Sequence, residues 1–283
     1  MHIGVGYFDE STDEDTQGIC YAVAGFVGSN AATAVLDMRW RDLLTRYNLK
    51  YFKASELSAG EGEFRQYRDD PNGKGFSQFS QKEKRKLEEI KTTFTDAIVT
   101  SDGITGIGAA VILPDYERIR REYPQTKLQN PYFFCANLAM MELGVCVCVE
   151  NEGYKDHEKV WVRPVFDSHE EYSGRMKQGF DSFCLNNPIS ARYLLPPYYE
   201  DDLKYVSLQA ADNLAFEIRK FAVGQREKRR ERISLARLRG SGRIGRVYKL
   251  DYDSLKTILD AQDPDFVLKP LTYTLADIIK DTT

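Results

Sequence analysis

Two apolar runs near the N-terminus constrain this chain more than any other feature. Ile3-Gly-Val-Gly-Tyr-Phe8 alternates apolar and small residues and stops at Asp9-Glu-Ser-Thr12. After a polar stretch from Thr12 to Gly18 comes Ile19-Cys-Tyr-Ala-Val-Ala-Gly-Phe-Val27, apolar throughout. The pattern predicts two strands joined by a short polar loop, an N-terminal β-hairpin with a buried second strand. Helical spacing follows from Asn30, a candidate cap, through Val35, Met38, Leu43 and Tyr47. A second helix is predicted from Ser80, where Glu83 three residues on completes a capping-box signal, to about Val99. Ile104–Leu113 and Val160–Phe166 read as strands, the latter demoted toward an edge position by Pro164. Pro114 starts a short polar helix, and Pro131–Val149 is apolar nearly all round, as a helix buried on most faces would be. Tyr172–Phe183 and Val206–Phe221 complete the helical set, with shorter helices near Asp253–Asp260 and Leu275–Lys280. Strands and helices mixed in this way predict an α/β chain with a mixed β-sheet flanked by helices.

The organisation expected is one domain over residues 1–224 and a basic segment with a C-terminal helical extension over 225–283. Residues 58–80, with four Gly and one Pro, read as a loop or insertion in the first domain. With 283 residues, 42% hydrophobic and 29% charged, the chain is long and apolar enough for a substantial core, which excludes fibrous and disordered classes. The apolar stretches at Ile19–Val27 and Leu138–Val149 are too short to cross a bilayer, and no charged region followed by an apolar run opens the chain. The expectation is a cytoplasmic protein with no membrane association.

Composition also narrows the chemistry. The five cysteines (20, 135, 146, 148 and 184) contain no CxxC pair, so a disulfide framework or zinc knuckle is not expected. Three histidines (2, 157 and 169) and no HExxH or GxSxG pattern leave carboxylates as the candidate catalytic groups. Two predicted strands end in an acid, at Phe8-Asp9-Glu10 and Phe166-Asp167-Ser168, and strand ends are where sheets present their sites. Asp212 interrupts the apolar stripe Leu208, Ala211, Leu214, Ala215 and Ile218, a position expensive for a charge without a partner. Glu56 follows Phe52-Lys53-Ala-Ser. Singly, each motif arises by chance in a chain with 43 acidic residues. Together, carboxylates converging from remote segments are what Mg²⁺ or Mn²⁺ requires, and such ions can activate water for phosphodiester cleavage. Gln209, one turn from Asp212, is a candidate to orient it.

Phe8-Asp-Glu-Ser11, the Val-Ala-Gly-Phe26 strand, Phe52-Lys-Ala-Ser-Glu-Leu57, Val165-Phe-Asp167 and Leu208-Gln-Ala-Ala-Asp212 occur in that order. In this the chain resembles a bacterial and phage family catalogued as domain of unknown function 3800, over roughly residues 3 to 222. The resemblance implies a ribonuclease H-like fold, whose members place acids on the first strand, a middle strand and a late helix. It implies a metal site from Asp9, Glu56, Asp167 and Asp212, with Glu10 nearby, and Lys53 where the family often has histidine.

The formal charge of −4 conceals a basic segment. Residues 219 to 246 hold eleven Arg or Lys against two Glu, a net +9, leaving −13 on the rest. Arginines such as Arg226, Arg229, Arg230, Arg237, Arg239, Arg243 and Arg246 can grip phosphates in bidentate fashion, so the segment is expected to bind nucleic acid. Gly240-x-Gly-x-x-Gly245 follows no strand and is set aside as a dinucleotide fingerprint. Tyr198 and Tyr199, after Pro196-Pro197, could stack on bases or simply pack. Three functions remain open: a divalent-metal nuclease, a non-catalytic nucleic-acid or protein-binding effector, and a metal-dependent hydrolase of small phosphorylated molecules.

Overall fold

The computed structural model describes residues 2–12, 18–69, 79–124, 130–152, 154–155, 158–168, 170–226 and 232–260. The helix expected at Leu275–Lys280 and most of the 58–80 insertion's second half lie outside them. Strands β1 (His2–Thr12) and β2 (Cys20–Ser29) pair antiparallel, in the register Phe8↔Gly25 and Asp9↔Ala24. Helices α1 (Asn30–Arg46), α2 (Ala54–Ala59) and α3 (Gln81–Val99) then lead to β3 (Ile104–Ile112), antiparallel to β2. Helices α4 (Leu113–Glu122) and α5 (Pro131–Glu150) cross to β4 (Val160–Asp167), parallel to β1. Helix α6 (Glu170–Asn186) leads to the short β5 (Tyr198–Glu200), parallel to β4. Helices α7 (Ser207–Arg226) and α8 (Ile233–Gly240) precede β6 (Ile244–Leu250), which joins β3 in parallel, and α9 (Tyr252–Asp260) follows. The result is a six-stranded mixed sheet in the order β5-β4-β1-β2-β3-β6 with helices on both faces.

Strand alternation sorts the two cores. Ala22, Ala24 and Phe26 of β2 face a cluster built with Leu36 and Trp40 of α1, Ile90 and Phe94 of α3, and Leu214 and Ile218 of α7. Phe8, Val23 and Phe166 face the opposite cluster, with Cys135, Met140 and Leu143 of α5. Local chemistry sets the helix starts. The Ser80 capping box forms as expected, whereas α1 is capped by Ser29, not Asn30, its hydroxyl accepting from Ala32 N–H at 3.2 Å. Pro164 is tolerated away from the sheet edge because it falls between the Val162–Leu194 bridge and the start of β4–β5 pairing at Val165.

Gly25 lies where two strands nearly touch: a Cβ there would stand 1.7 Å from the Tyr7 carbonyl oxygen. Gly25→Ala should therefore destabilise by about 1–3 kcal/mol or more through overpacking beside Phe8 and Asp9, read as a lower urea midpoint at unchanged slope.

Two expectations change. Helix α5 starts at Pro131, capped by Asn130, and its 20 residues, with an 18-residue stretch at mean hydropathy 1.8, are long and apolar enough to cross a membrane, which a count from Leu138 missed. Here the helix is packed against the sheet, with Cys135, Ala136, Ala139 and Leu143 fully buried. The chain beyond residue 224 is also no mere appendage, since β6 forms an edge of the main sheet and Leu238, Val247 and Leu250 enter its cores. Arg246 and Lys249 interleave with those apolar residues, which disguised the strand as part of a charge run.

Candidate carboxylate centre

The sheet brings three parallel strand ends together. Strands β1 and β4 pair up to Phe8↔Phe166, and β4 pairs β5 at Asp167↔Glu200, so acidic residues leave β1, β4 and β5 at one edge. Phe8 and Phe166 stack at 5.3 Å on the α5 side. Alternation therefore turns Asp9 and Asp167 to the opposite side, the one α7 covers. From α7 comes Asp212, whose Oδ2 accepts the Ala54 N–H at 2.6 Å. Asp9 and Asp212 are 7% and 6% exposed, so water screens them little.

These carboxyls raise one another's pKa. Burial pushes Asp9 well above the usual carboxylate range, and Asp212, Glu10 and Asp167 add to it in that order, against a bond from the Glu10 N–H. Burial also pushes Asp212 up to about 7, against the Ala54 N–H and Lys53, with Asp202 and Asp167 adding to the rise. Asp167 is raised by burial, opposed by the Ser168 N–H. Asp202, just after β5, is pushed up to about 6, first by burial and then by Asp167. Lys53 sits among them: partial burial works against its ammonium, but Asp212, Asp9, Asp202 and Asp167 outweigh it and hold its pKa above the ordinary value.

Folding stability should follow these shifts. Between pH 4 and 7 the unfolded chain gives up protons that Asp202 and Asp212 keep in the fold. The stabilisation is complete below pH 4 and is lost as the pH rises through about 6 and then 7. Urea midpoints without divalent cations should thus fall from pH 5 to pH 8, by on the order of 1 kcal/mol or more, and Asp212→Asn should flatten that slope.

Gln209, fully buried on α7, directs its side-chain hydrogen bonds to residues other than Asp212. Its Oε1 accepts from Trp40 Nε1 at 3.2 Å and from Phe52 N–H at 2.9 Å, and its Nε2 donates to the Asp202 carbonyl at 3.0 Å. It thereby ties the Phe52–Ala54 strip and the Asp202 turn to α7, placing Lys53 and the Ala54 N–H beside Asp212. Glu56 stands apart: the Tyr51 hydroxyl donates to its two oxygens at 3.1 and 3.0 Å. Glu10, one residue on from Asp9, alternates to the other side of the sheet, where its charge raises the pKa of Tyr21, Tyr132 and Tyr199.

The donor chemistry, all carboxylate oxygen, suits Mg²⁺ or Mn²⁺. Among the described residues, however, no three His, Cys, Asp or Glu side chains are grouped so that they could hold an ion. The three-ligand arrangement of Asp9, Asp167 and Asp212 is therefore not preassembled. Mutual repulsion opposes it, and each side chain takes a nearby N–H instead: Asp9 that of Glu10 at 2.7 Å, Asp167 that of Ser168 at 2.9 Å, Asp212 that of Ala54. What fits is the sparser mode usual for Mg²⁺, one or two carboxylates with waters and substrate oxygens, here Asp9 and Asp212.

Among the described residues of the basic segment, several cations are engaged within the chain. Arg219, 3% exposed, donates to Ser11 Oγ at 2.9 Å. Arg237 pairs with Asp96, and Arg243 pairs with Asp102 while donating to the Val99 carbonyl at 3.0 Å. Arg246 meets the buried Glu142 at 3.6 Å, beside the Tyr248 hydroxyl at 2.5 Å from the same carboxylate. Arg237, Arg243 and Arg246, expected as phosphate contacts, thus also link α8 and β6 to α3, the turn after it and α5. Arg239 is half-buried on α8, while the Arg226 side chain, Arg229 and Arg230 lie outside the described residues. Tyr199 stacks on Phe166 at 5.8 Å, and Arg163 covers the Tyr198 ring at 4.4 Å. No protein-family model, curated protein or solved structure matches the chain.

Proposed function

We propose that the chain is a divalent-metal-dependent hydrolase of phosphodiester bonds on a ribonuclease H-like fold. The observation that carries this reading is the convergence of Asp9, Asp167 and Asp212 on one side of the sheet, from the first strand, a middle strand and a late helix. Carboxyls that keep their protons against their own nature, beside an exposed lysine, are the groups a dication would neutralise. Asp9 and Asp212 would hold Mg²⁺ or Mn²⁺, and the ion would supply Lewis-acid polarisation of a phosphoryl oxygen and an activated water. Asp167 and Asp202 border that position, and the Lys53 ammonium is placed to meet a phosphate oxygen. Gln209 fixes the strip that carries Lys53.

The pairing of Arg237, Arg243 and Arg246 with acids of the same chain favours a second reading, in which the substrate is a small phosphorylated molecule and no long strand is tracked. The test is incubation of the purified chain with Mn²⁺ or Mg²⁺ and labelled single- and double-stranded DNA and RNA, with cyclic and linear dinucleotides in parallel. Cleavage that stops on adding EDTA is expected, and the substrate cut fastest separates the two readings. Intact substrates throughout would contradict both.

A further inference from the structure

A cavity of about 650 Å³ opens directly behind the carboxylate centre. Its walls come from α2 (Ala54, Leu57), α3 (Leu87, Lys91), α7 (Asn213, Phe216) and the Arg232 turn, and mix apolar side chains with charges of both signs. Two of these residues belong to both places. Ala54 lines the cavity while its N–H is held by Asp212 at 2.6 Å, and Asn213 is the next residue to Asp212 on α7. Successive helical residues point about 100° apart. The helix therefore turns Asp212 toward the strand ends and Asn213 toward the cavity.

Asn213 is 1% exposed, and its Nδ2 has no hydrogen-bond partner among the described residues. A buried amide nitrogen left unpaired in this way is uncommon and unfavourable. An amide also offers a donor and an acceptor side by side, the pattern that pairs with the edge of a nucleobase, adenine N6 and N7 above all. Lys91 and Arg232 are held by Glu217 at 3.1 and 3.2 Å, and with Lys84 and Glu88 the wall carries three bases against two acids, a net +1 that attracts a phosphate only weakly. A base fits such a wall better than a phosphate does. The volume lies in the range of small-ligand pockets.

We propose that this cavity is a nucleobase subsite, holding the base next to the phosphodiester presented to Asp9 and Asp212, with Asn213 reading its edge and Leu57, Leu87 and Phe216 enclosing its ring. This rests on the phosphodiester reading for its biological meaning, but binding of the base needs no metal and no cleavage. The experiment is calorimetric titration of the intact chain with AMP and with UMP in EDTA. Two variants are compared: Asn213→Leu, which removes the polar edge, and Ser58→Trp, which fills the cavity from its rim. Their circular dichroism is checked against the parent. AMP should bind the parent chain more tightly than UMP, and each variant should weaken AMP by about tenfold or more. No AMP binding at millimolar concentration, equal affinity for UMP, or unchanged affinity in folded Ser58→Trp would overturn the subsite. Loss of AMP binding alongside intact metal-dependent cleavage sinks only the subsite; AMP binding without any cleavage sinks only the hydrolase.

Discussion

Asp212→Asn should abolish hydrolysis, by at least about a hundredfold, while making the protein more stable above pH 7. The two effects have one origin. Asp212 is buried on an apolar helix and held near an apparent pKa of about 7 by burial and by Asp202 and Asp167, so its ionised form is unfavourable in the fold. Asparagine keeps the shape, can still accept the Ala54 N–H, and carries no charge. Removing a partly ionised, poorly solvated carboxylate should raise stability by on the order of 1–3 kcal/mol at pH 8, and much less at pH 5, where Asp212 is already neutral. The same change would remove one of the two proposed ligands to the dication, and several kcal/mol of transition-state stabilisation correspond to the expected loss of rate. A purely structural aspartate would behave the other way, with activity following stability. Melting temperatures at pH 5 and 8, measured beside initial cleavage rates, separate the two.

Glu217→Ala should be the most destabilising single change, by about 3–5 kcal/mol. Glu217 is fully buried on α7 and meets Lys91 Nζ at 3.1 Å and Arg232 Nε at 3.2 Å. Lys91 has only 11% of its side chain exposed, so deletion of the acid leaves a buried ammonium with no counter-charge. Burial already lowers the Lys91 pKa, against the pull of Glu217. The variant should hold that lysine neutral over a wider range. A folded-state pKa below the unfolded one makes stability rise with pH, so the deficit should shrink as the pH approaches the ordinary lysine value. Urea melts from pH 6 to 10 would show this, and a combined Lys91→Met and Glu217→Leu should recover most of the loss. An unchanged midpoint in Glu217→Ala would mean that the ion pairs hold nothing together.

Much of this architecture is legible in the chain because apolar patterning dictates it. The hairpin follows from two apolar runs around a polar loop, and Asp9 and Asp167 could be located because each terminates such a run. Asp212 was visible as a charge inside an apolar helix stripe. What could not be read depends on partners distant in sequence. Glu56 looks equivalent to Asp9 in the chain, yet the Tyr51 hydroxyl takes its carboxylate. Asp202 sits in the run Glu200-Asp201-Asp202, where no periodicity marks one acid above its neighbours; its proximity to β5, the third parallel strand end, is the signal that would have found it. The ion pairs of Arg237, Arg243 and Arg246 leave no local signal, because Asp96, Asp102 and Glu142 lie on other parts of the fold, roughly a hundred or more residues away in the chain.

As proposed, Asp9 and Asp212 form a dication site whose protons the metal displaces. Calorimetric titration with Mn²⁺ at about pH 6.5, in two buffers of different ionisation enthalpy, measures binding and proton release together. The parent chain should bind Mn²⁺ with net release of protons, and Asp9→Asn and Asp212→Asn should each lose both signals while remaining folded. Absence of binding in the parent chain, or equal binding by both variants, would contradict it.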